Sequence, residues 1–358
     1  LLYGVKSAVP AFGFYCREKE RSMRMSEAED VQFIAERLKN CGRKSLLEGG
    51  RSYSNIYCGE AKEARFCFER VDKVFEDLNP WAIPLLFLLY LSKALVFLFQ
   101  LLLEIVIAIG DAIAGIFRRK SVSAEMKFIL ARVGGSILLR ELVKFHTRLS
   151  ISEGAPVIHL NLLGYDEQSH RRGPDSFFAH WSLKGIDRTV KKIVADAERS
   201  ALRDYMIVIF SDHGQEKVQS YNRRHGKSLS ERVHEVMGKE HGPGRLVTRE
   251  RLHYFGSGSS KRNPVQVDER NLKVEAIGPL AHIYFEEFPD DLSKEDLAAK
   301  LVKQADLPAI AWLDQSDRLR IRGAKGELNL PEDVHLLLGE DHRFPLEAME
   351  DLKYLLKT

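Results

Sequence analysis

The sequence predicts an α/β protein built on a doubly wound, mostly parallel sheet that is interrupted by a hydrophobic helical insertion. Three observations carry that expectation. In the second half, runs that are apolar on both faces alternate with amphipathic helical patterns, as in a sheet covered by helices on each side. Two such runs, "APVIHLNLLGYD" (155–166) and "DYMIVIFSDHG" (204–214), are separated by one long helical stretch, the connection length of a parallel βαβ unit. Between residues 81 and 117 only Lys93, Glu104 and Asp111 are charged.

In chain order, residues 25–39 have helical periodicity behind a Ser26 cap, and "KSLLEGGRSYSNIYCGE" (44–60) is rich in turn residues. Asn79 and Pro80 form a helix start signal for the hydrophobic run, and Arg118, Arg119 and Lys120 close it. The 37 residues from 81 to 117 fall slightly short of two crossings at about 20 each. Basic residues at Arg70 and Lys73 precede the run, so the positive-inside rule puts both ends on the cytoplasmic side. That predicts a tight hairpin or an interfacial helix, hence a membrane-associated protein with its α/β part on the cytoplasmic side; a long helix buried in an oligomer is the alternative. Residues 121–149 read as helix, and "GPDSFFAHWSLKGIDRTVKKIVADAERSA" (173–201) is a long amphipathic one. A polar excursion at about 221–270 holds eleven arginines or lysines together with His225, His234, His241 and His253, and suggests a solvated face near the mouth of the site. Within it "GKSLSERVHEVMG" is a capped helix without the phosphate-loop pattern. The strand "GPLAHIYFEEF", a helix at about 293–305, the strand region "AIAWLDQSDRLRIRG" and a last helix near 344–357 complete the alternation. The expected organisation is therefore 1–78 and 121–358 as parts of one α/β domain, with 79–120 inserted.

Composition excludes some classes of function. The 358 residues are 44% hydrophobic, and 54 basic against 51 acidic residues leave a net charge of +3 spread along the chain. No field of one sign exists to attract nucleic acid. The four cysteines, Cys16, Cys41, Cys58 and Cys67, lack metal-ligand spacing and read as reduced thiols, with one disulfide pair as the alternative. The chain opens on Leu1 with no signal peptide and reads as a piece of a longer protein.

The chemistry concentrates at two strand ends. The first run leads into Asp166 and His170, four positions apart, and the second into Asp212 and His213. In doubly wound sheets ligands collect beyond the carboxyl ends of strands, so the two pairs are expected to meet across one crevice. Carboxylate and imidazole donors of this kind suit zinc, manganese or iron, and two neighbouring clusters suit a two-metal site. Glu167 and Glu216, beside them, read as supporting or solvent-facing groups.

"YDEQSHRRG" together with the later "IVIFSDHGQ" resembles the alkaline phosphatase superfamily, in particular its nucleotide pyrophosphatase/phosphodiesterase branch, most directly over residues 155–220. The resemblance implies hydrolysis of a phosphoester or phosphodiester with two divalent metals, usually zinc, held by Asp166 and His170 at one site and by Asp212 and His213 at the other. The substrate would be a nucleotide or a lipid-linked phosphate. It also implies an early metal-binding aspartate and a Thr or Ser nucleophile. "LLYGVKSAVPAF" resembles the segment after the family's nucleophile helix, which places that hydroxyl upstream of Leu1, excludes Ser7 and predicts an inactive fragment. A third histidine normally arrives late; His342 and His282 are the candidates. A non-catalytic scaffold, a sulfatase and a phospho-group transferase are the alternatives.

Overall fold

The computed structural model describes residues 2–5, 9, 11–73, 139–217, 219–241, 272–277, 280–285, 288–290 and 292–333, with six helical positions between 102 and 113. Along the chain run β1 (Gly13–Cys16), β2 (Arg21–Arg24), α1 (Ala28–Lys39), β3 (Arg51–Tyr53), β4 (Glu63–Arg65) and a 3-10 turn at Phe68–Lys73. Next come α2 (Arg140–Ser152), β5 (Ile158–Leu160), α3 (Tyr165–Arg172), α4 (Phe177–Glu198), α5 (Tyr221–His225) and α6 (Leu229–His241). The last elements are β6 (Leu272–Ile277), β7 (Leu280–Phe285), α7 (Lys294–Gln304), β8 (Ala309–Leu313), β9 (Leu319–Gly323) and β10 (Gly326–Leu330). These elements fall into two compact units, one comprising Leu1–Gly4, Met25–Val218 and Leu252–Ser260, the other Val5–Arg24, Gln219–Arg251 and Lys261–Thr358.

The first unit is organised by a three-stranded parallel sheet in the order β4-β3-β5. Its central strand comes from the stretch that the sequence marks as turn-rich. Arg-Ser-Tyr is too short to show a periodicity, and its strand character arises from its neighbours: Arg51 pairs with both Glu63 and Ile158, and Tyr53 with Arg65 and Leu160. Entry to β3 needs Gly50, where an added Cβ would lie 2.6 Å from the Val157 carbonyl oxygen. Tyr53 is 1% exposed, and its hydroxyl lies 2.7 Å from the Ser150 hydroxyl of α2. That helix buries Val143, Thr147, Ser150 and Ile151, a stripe at helical spacing. The expected helix over 121–149 is thus present as α2 where the chain is described. For α1 the cap falls at Glu27, one residue beyond the expected Ser26, and without a side-chain hydrogen bond.

The expected second strand of the βαβ unit does not form. The crossover helix α4 is present and Ser176 caps it, accepting a hydrogen bond from the Ala179 N–H at 3.2 Å. The segment after it is irregular, and Met206, Val208, Ile209 and Phe210 are 58–89% exposed. Apolar composition supplied the material of a buried strand, but a strand also needs a ladder partner. This run touches the edge strand β5 through side chains: the rings of Phe210 and His159 stack at 6.1 Å. The described sheet therefore has three strands, and the doubly wound arrangement expected from sequence is not reproduced.

In the second unit α6 and α7 pack over the antiparallel β6-β7 hairpin through Val233, Val236, Leu272, Leu297 and Leu301. The part of the polar excursion that is described thus includes a core helix, which corrects its reading as a solvated face. Strands β8, β9 and β10 form an antiparallel sheet around Leu313, Leu319 and Leu330. The expected helix at 293–305 is α7, capped by Ser293. The last expected helix, and the hydrophobic run apart from its six helical positions, lie outside the described residues. Among the described residues no helix is long and apolar enough to cross a membrane. All four cysteines are free thiols.

Candidate active site

The site is built at the start of α3 and on the segment after α4, both within the first unit. After β5 the chain turns at Gly164, whose φ of 119° is a conformation that L side chains rarely adopt. The Gly164 N–H then donates to Glu167 Oε2 at 2.6 Å, so Glu167 closes the first turn of α3 upon itself. Glu167 is the helix's own clasp, and burial raises its carboxyl above the usual range. Asp166 also sits in that first turn, where a carboxylate complements the helix dipole. One turn later comes His170. The sequence places this pair beyond a strand end; its helical setting is what points both side chains to the same side.

The second pair arrives on a segment tied down along its length. Arg203 Nε donates to the Gly154 carbonyl at 3.1 Å, the Tyr205 hydroxyl to the Ala155 carbonyl at 2.9 Å, and Lys217 Nζ to Asp175 Oδ2 at 2.8 Å. Between these ties the chain carries His213 past α3. His213 Nε2 lies 3.9 Å from Asp166 Oδ1, and the His170 and His213 rings are 6.5 Å apart. His213 Nδ1 lies 2.9 Å from the Gly214 carbonyl, which can only accept, so the neutral ring keeps its proton on Nδ1 and its lone pair on Nε2. The outlying member is Asp212: its side chain is 80% exposed, with Oδ2 3.8 Å from His213 Nε2 and Oδ1 accepting the His213 N–H at 3.1 Å. Glu216 is exposed.

Asp166 is the electrostatic centre. Burial acts to raise its carboxyl, but the hydrogen bond and charge of His170, the charge of His213 and the Gln215 amide outweigh that and hold it below the usual carboxylate range. His170 Nε2 lies 3.1 Å from Asp166 Oδ1, and that hydrogen bond raises the imidazole above its ordinary value against the opposing effect of burial. Gln215 has no role legible in the sequence alone. Its Nε2 donates to Asp166 Oδ1 and lies 3.3 Å from His170 Nε2. The available signal was its place, three residues past Asp212 on the same short run.

Over residues 123–335, more than half of the chain, the sequence matches the family model of type I phosphodiesterase / nucleotide pyrophosphatase. The chain belongs to that family. It is thereby a member of the alkaline phosphatase superfamily's nucleotide pyrophosphatase/phosphodiesterase branch, with an alkaline-phosphatase-like α/β fold and phosphoester hydrolysis as the family's general chemistry. Neither the curated proteins nor the solved structures yield a match. The family generally uses divalent metals, and the donor types fit: two carboxylates and two imidazoles, one imidazole with its Nε2 lone pair kept available. As they stand, no three His, Cys, Asp or Glu side chains among the described residues are grouped closely enough to hold an ion.

Three of the other histidines, His225, His234 and His282, belong to the second unit. His225 faces Asp306 at 3.6 Å, His234 Nδ1 bonds the Ser230 carbonyl at 2.7 Å, and His282 lies on β7, stacked on Tyr284 at 5.8 Å. Ser7, His253 and His342 lie outside the described residues, and the side chain of His241 does too.

Proposed function

We propose that this protein is a metal-dependent hydrolase of phosphoester or phosphodiester bonds, acting on a nucleotide or a lipid-linked phosphate. Asp166 and His170 would hold one divalent ion and Asp212 and His213 a second, zinc first, with manganese or iron as alternatives. The observation that carries the reading is the approach of both imidazoles to one carboxylate oxygen, with His170 Nε2 at 3.1 Å and His213 Nε2 at 3.9 Å from Asp166 Oδ1.

Such ions supply Lewis acidity toward a phosphoryl oxygen and lower the pKa of an attacking hydroxyl. The side chains prepare for this. Asp166 is kept ionised at neutral pH by its hydrogen-bond donors, so no proton has to leave before it can act as a donor atom. The Gly214 carbonyl fixes the ring of His213 with Nε2 toward Asp166. Glu167 fixes the start of α3 and therefore the direction of Asp166. The attacking hydroxyl in this reading is a Thr or Ser preceding Leu1 in the complete polypeptide.

The test is metal analysis of the complete polypeptide together with turnover of a chromogenic phosphodiester, phosphomonoester and sulfate ester. Chelator-sensitive cleavage of a phosphate ester, restored by zinc, is the expected result. Metal-loaded protein that cleaves none of the three would overturn the hydrolase reading and leave a binding or scaffold role; cleavage of the sulfate ester alone would reassign the substrate.

We further propose attachment to the cytoplasmic face of a membrane through residues 81–117. The support is the scarcity of charge in that run and the exposure of Leu102, Val106, Ile109 and Ile113, spaced four, three and four residues apart as on one helix face. Protein lacking 81–117 should move from the membrane pellet to the supernatant; its retention in the pellet would refute the assignment.

A further inference from the structure

We propose that Gln215 holds, in the metal-free protein, the place between Asp166 and His170 that a divalent cation takes, so that cation binding has to displace its carboxamide. One nitrogen, Gln215 Nε2, donates to Asp166 Oδ1 and stands 3.3 Å from His170 Nε2, the two donor atoms assigned above to one ion. Those two atoms lie 3.1 Å apart, and a group contacting both from outside their line is where a shared cation would sit. A carboxamide suits a placeholder. Its NH2 donates to the anionic oxygen on which an incoming cation would draw, and it carries no charge to repel that cation. Asp166 Oδ1 can only accept, which fixes the nitrogen side of the amide toward it. Gln215 is half-buried, whereas its neighbours Gly214 and Glu216 are exposed, so the side chain is turned inward from an otherwise exposed run. Gln215 has this role only if Asp166 and His170 bind a cation, as proposed above.

The test uses the full chain, zinc as the probe and calorimetric titration as the readout, with no dependence on turnover. Gln215→Met keeps the length of the side chain and removes both N–H donors, so zinc no longer competes with the amide for Asp166. Affinity should rise about tenfold, the effect of losing a hydrogen bond to a charged group. In 13C,15N-labelled wild-type protein, the side-chain amide signal of Gln215 is assigned by through-bond correlation to its own backbone. That signal should shift as the first equivalent of zinc is added, a measurement that stands even if the variant fails to fold. Zinc binding that is equal or weaker in Gln215→Met, or an unmoved Gln215 signal while zinc binds, overturns the placeholder role and leaves the metal reading intact. Absence of zinc binding by the wild-type chain overturns both.

Discussion

Asp166 and His170 stand one helical turn apart on α3, with the carboxylate Oδ1 3.1 Å from the imidazole Nε2. The relationship makes Asp166 an acceptor for His170 and Gln215 and a near neighbour of His213, so one substitution disturbs its contacts with all three side chains. In the complete, metal-loaded polypeptide, Asp166→Asn should lower phosphate-ester turnover by at least about 100-fold, since loss of a supporting partner alone costs about 10–100-fold at metal sites. Far-ultraviolet circular dichroism should stay unchanged, because the Asp166 side chain is 43% exposed and fills no core position. Turnover within a few-fold of wild type would remove Asp166 from the machinery.

Gly50 tests the sheet beneath the site. An alanine there would place its Cβ 2.6 Å from the Val157 carbonyl oxygen, an atom of the backbone that leads into β5. The contact can be relieved only by separating β3 from β5, whose pairing begins with the Arg51 N–H donating to that same carbonyl at 2.8 Å. Gly50→Ala should destabilise the first unit by about 1–3 kcal/mol, the range for overpacking a close contact, measured by urea denaturation. An unchanged midpoint would show that the strands yield without cost.

Elements whose signals are local were legible in the sequence, and those that depend on distant partners were not. α4 and α7 show themselves because Ser176 and Ser293 cap them and their apolar residues recur at helical spacing. β3 does not, since three residues in a turn-rich stretch become a strand only through Glu63 and Ile158 on either side. The run 205–210 fails in the opposite sense: it has strand composition but, among the described residues, no ladder. At the site, four-residue spacing exposes Asp166 and His170, and the adjacent Asp212 and His213 are equally visible. Gln215 is not, because a carboxamide belongs to no spacing pattern and acquires meaning only when folding brings it to Asp166.

Ser228 and Glu231 form a reciprocal capping box at the start of α6. The Ser228 hydroxyl accepts the Glu231 N–H at 3.1 Å, and the Glu231 carboxylate accepts the Ser228 N–H at 2.7 Å. The helix they start places Val233 and Val236 in the core of the second unit. Ser228→Ala should therefore destabilise that unit by about 1 kcal/mol, and Ser228→Asp, which keeps an acceptor, by much less. Equal midpoints for the two variants in thermal or urea unfolding would show that the cap is not what holds the helix start.

Asp314 provides a pH-dependent test at the β8–β9 turn. Its carboxylate accepts the backbone N–H groups of Arg318 at 3.0 Å and Ser316 at 2.9 Å, and meets Arg320 Nε at 3.0 Å and Arg318 Nε at 3.1 Å. The Arg318 N–H leads; against a smaller opposing effect of desolvation, these donors bring the carboxyl down from 3.8 to about 2. The sign comes from linkage. A carboxyl that is more acidic in the folded state than in the unfolded chain stabilises the fold above its unfolded value, and that contribution fades as the pH falls through the folded one. Asp314→Asn, which cannot ionise, should be less stable than wild type at pH 5, with the gap closing between about pH 4 and pH 2. Urea unfolding of both proteins across that window reads the gap directly; a difference that persists undiminished at about pH 2 would mean that the charge of Asp314 does not organise the turn.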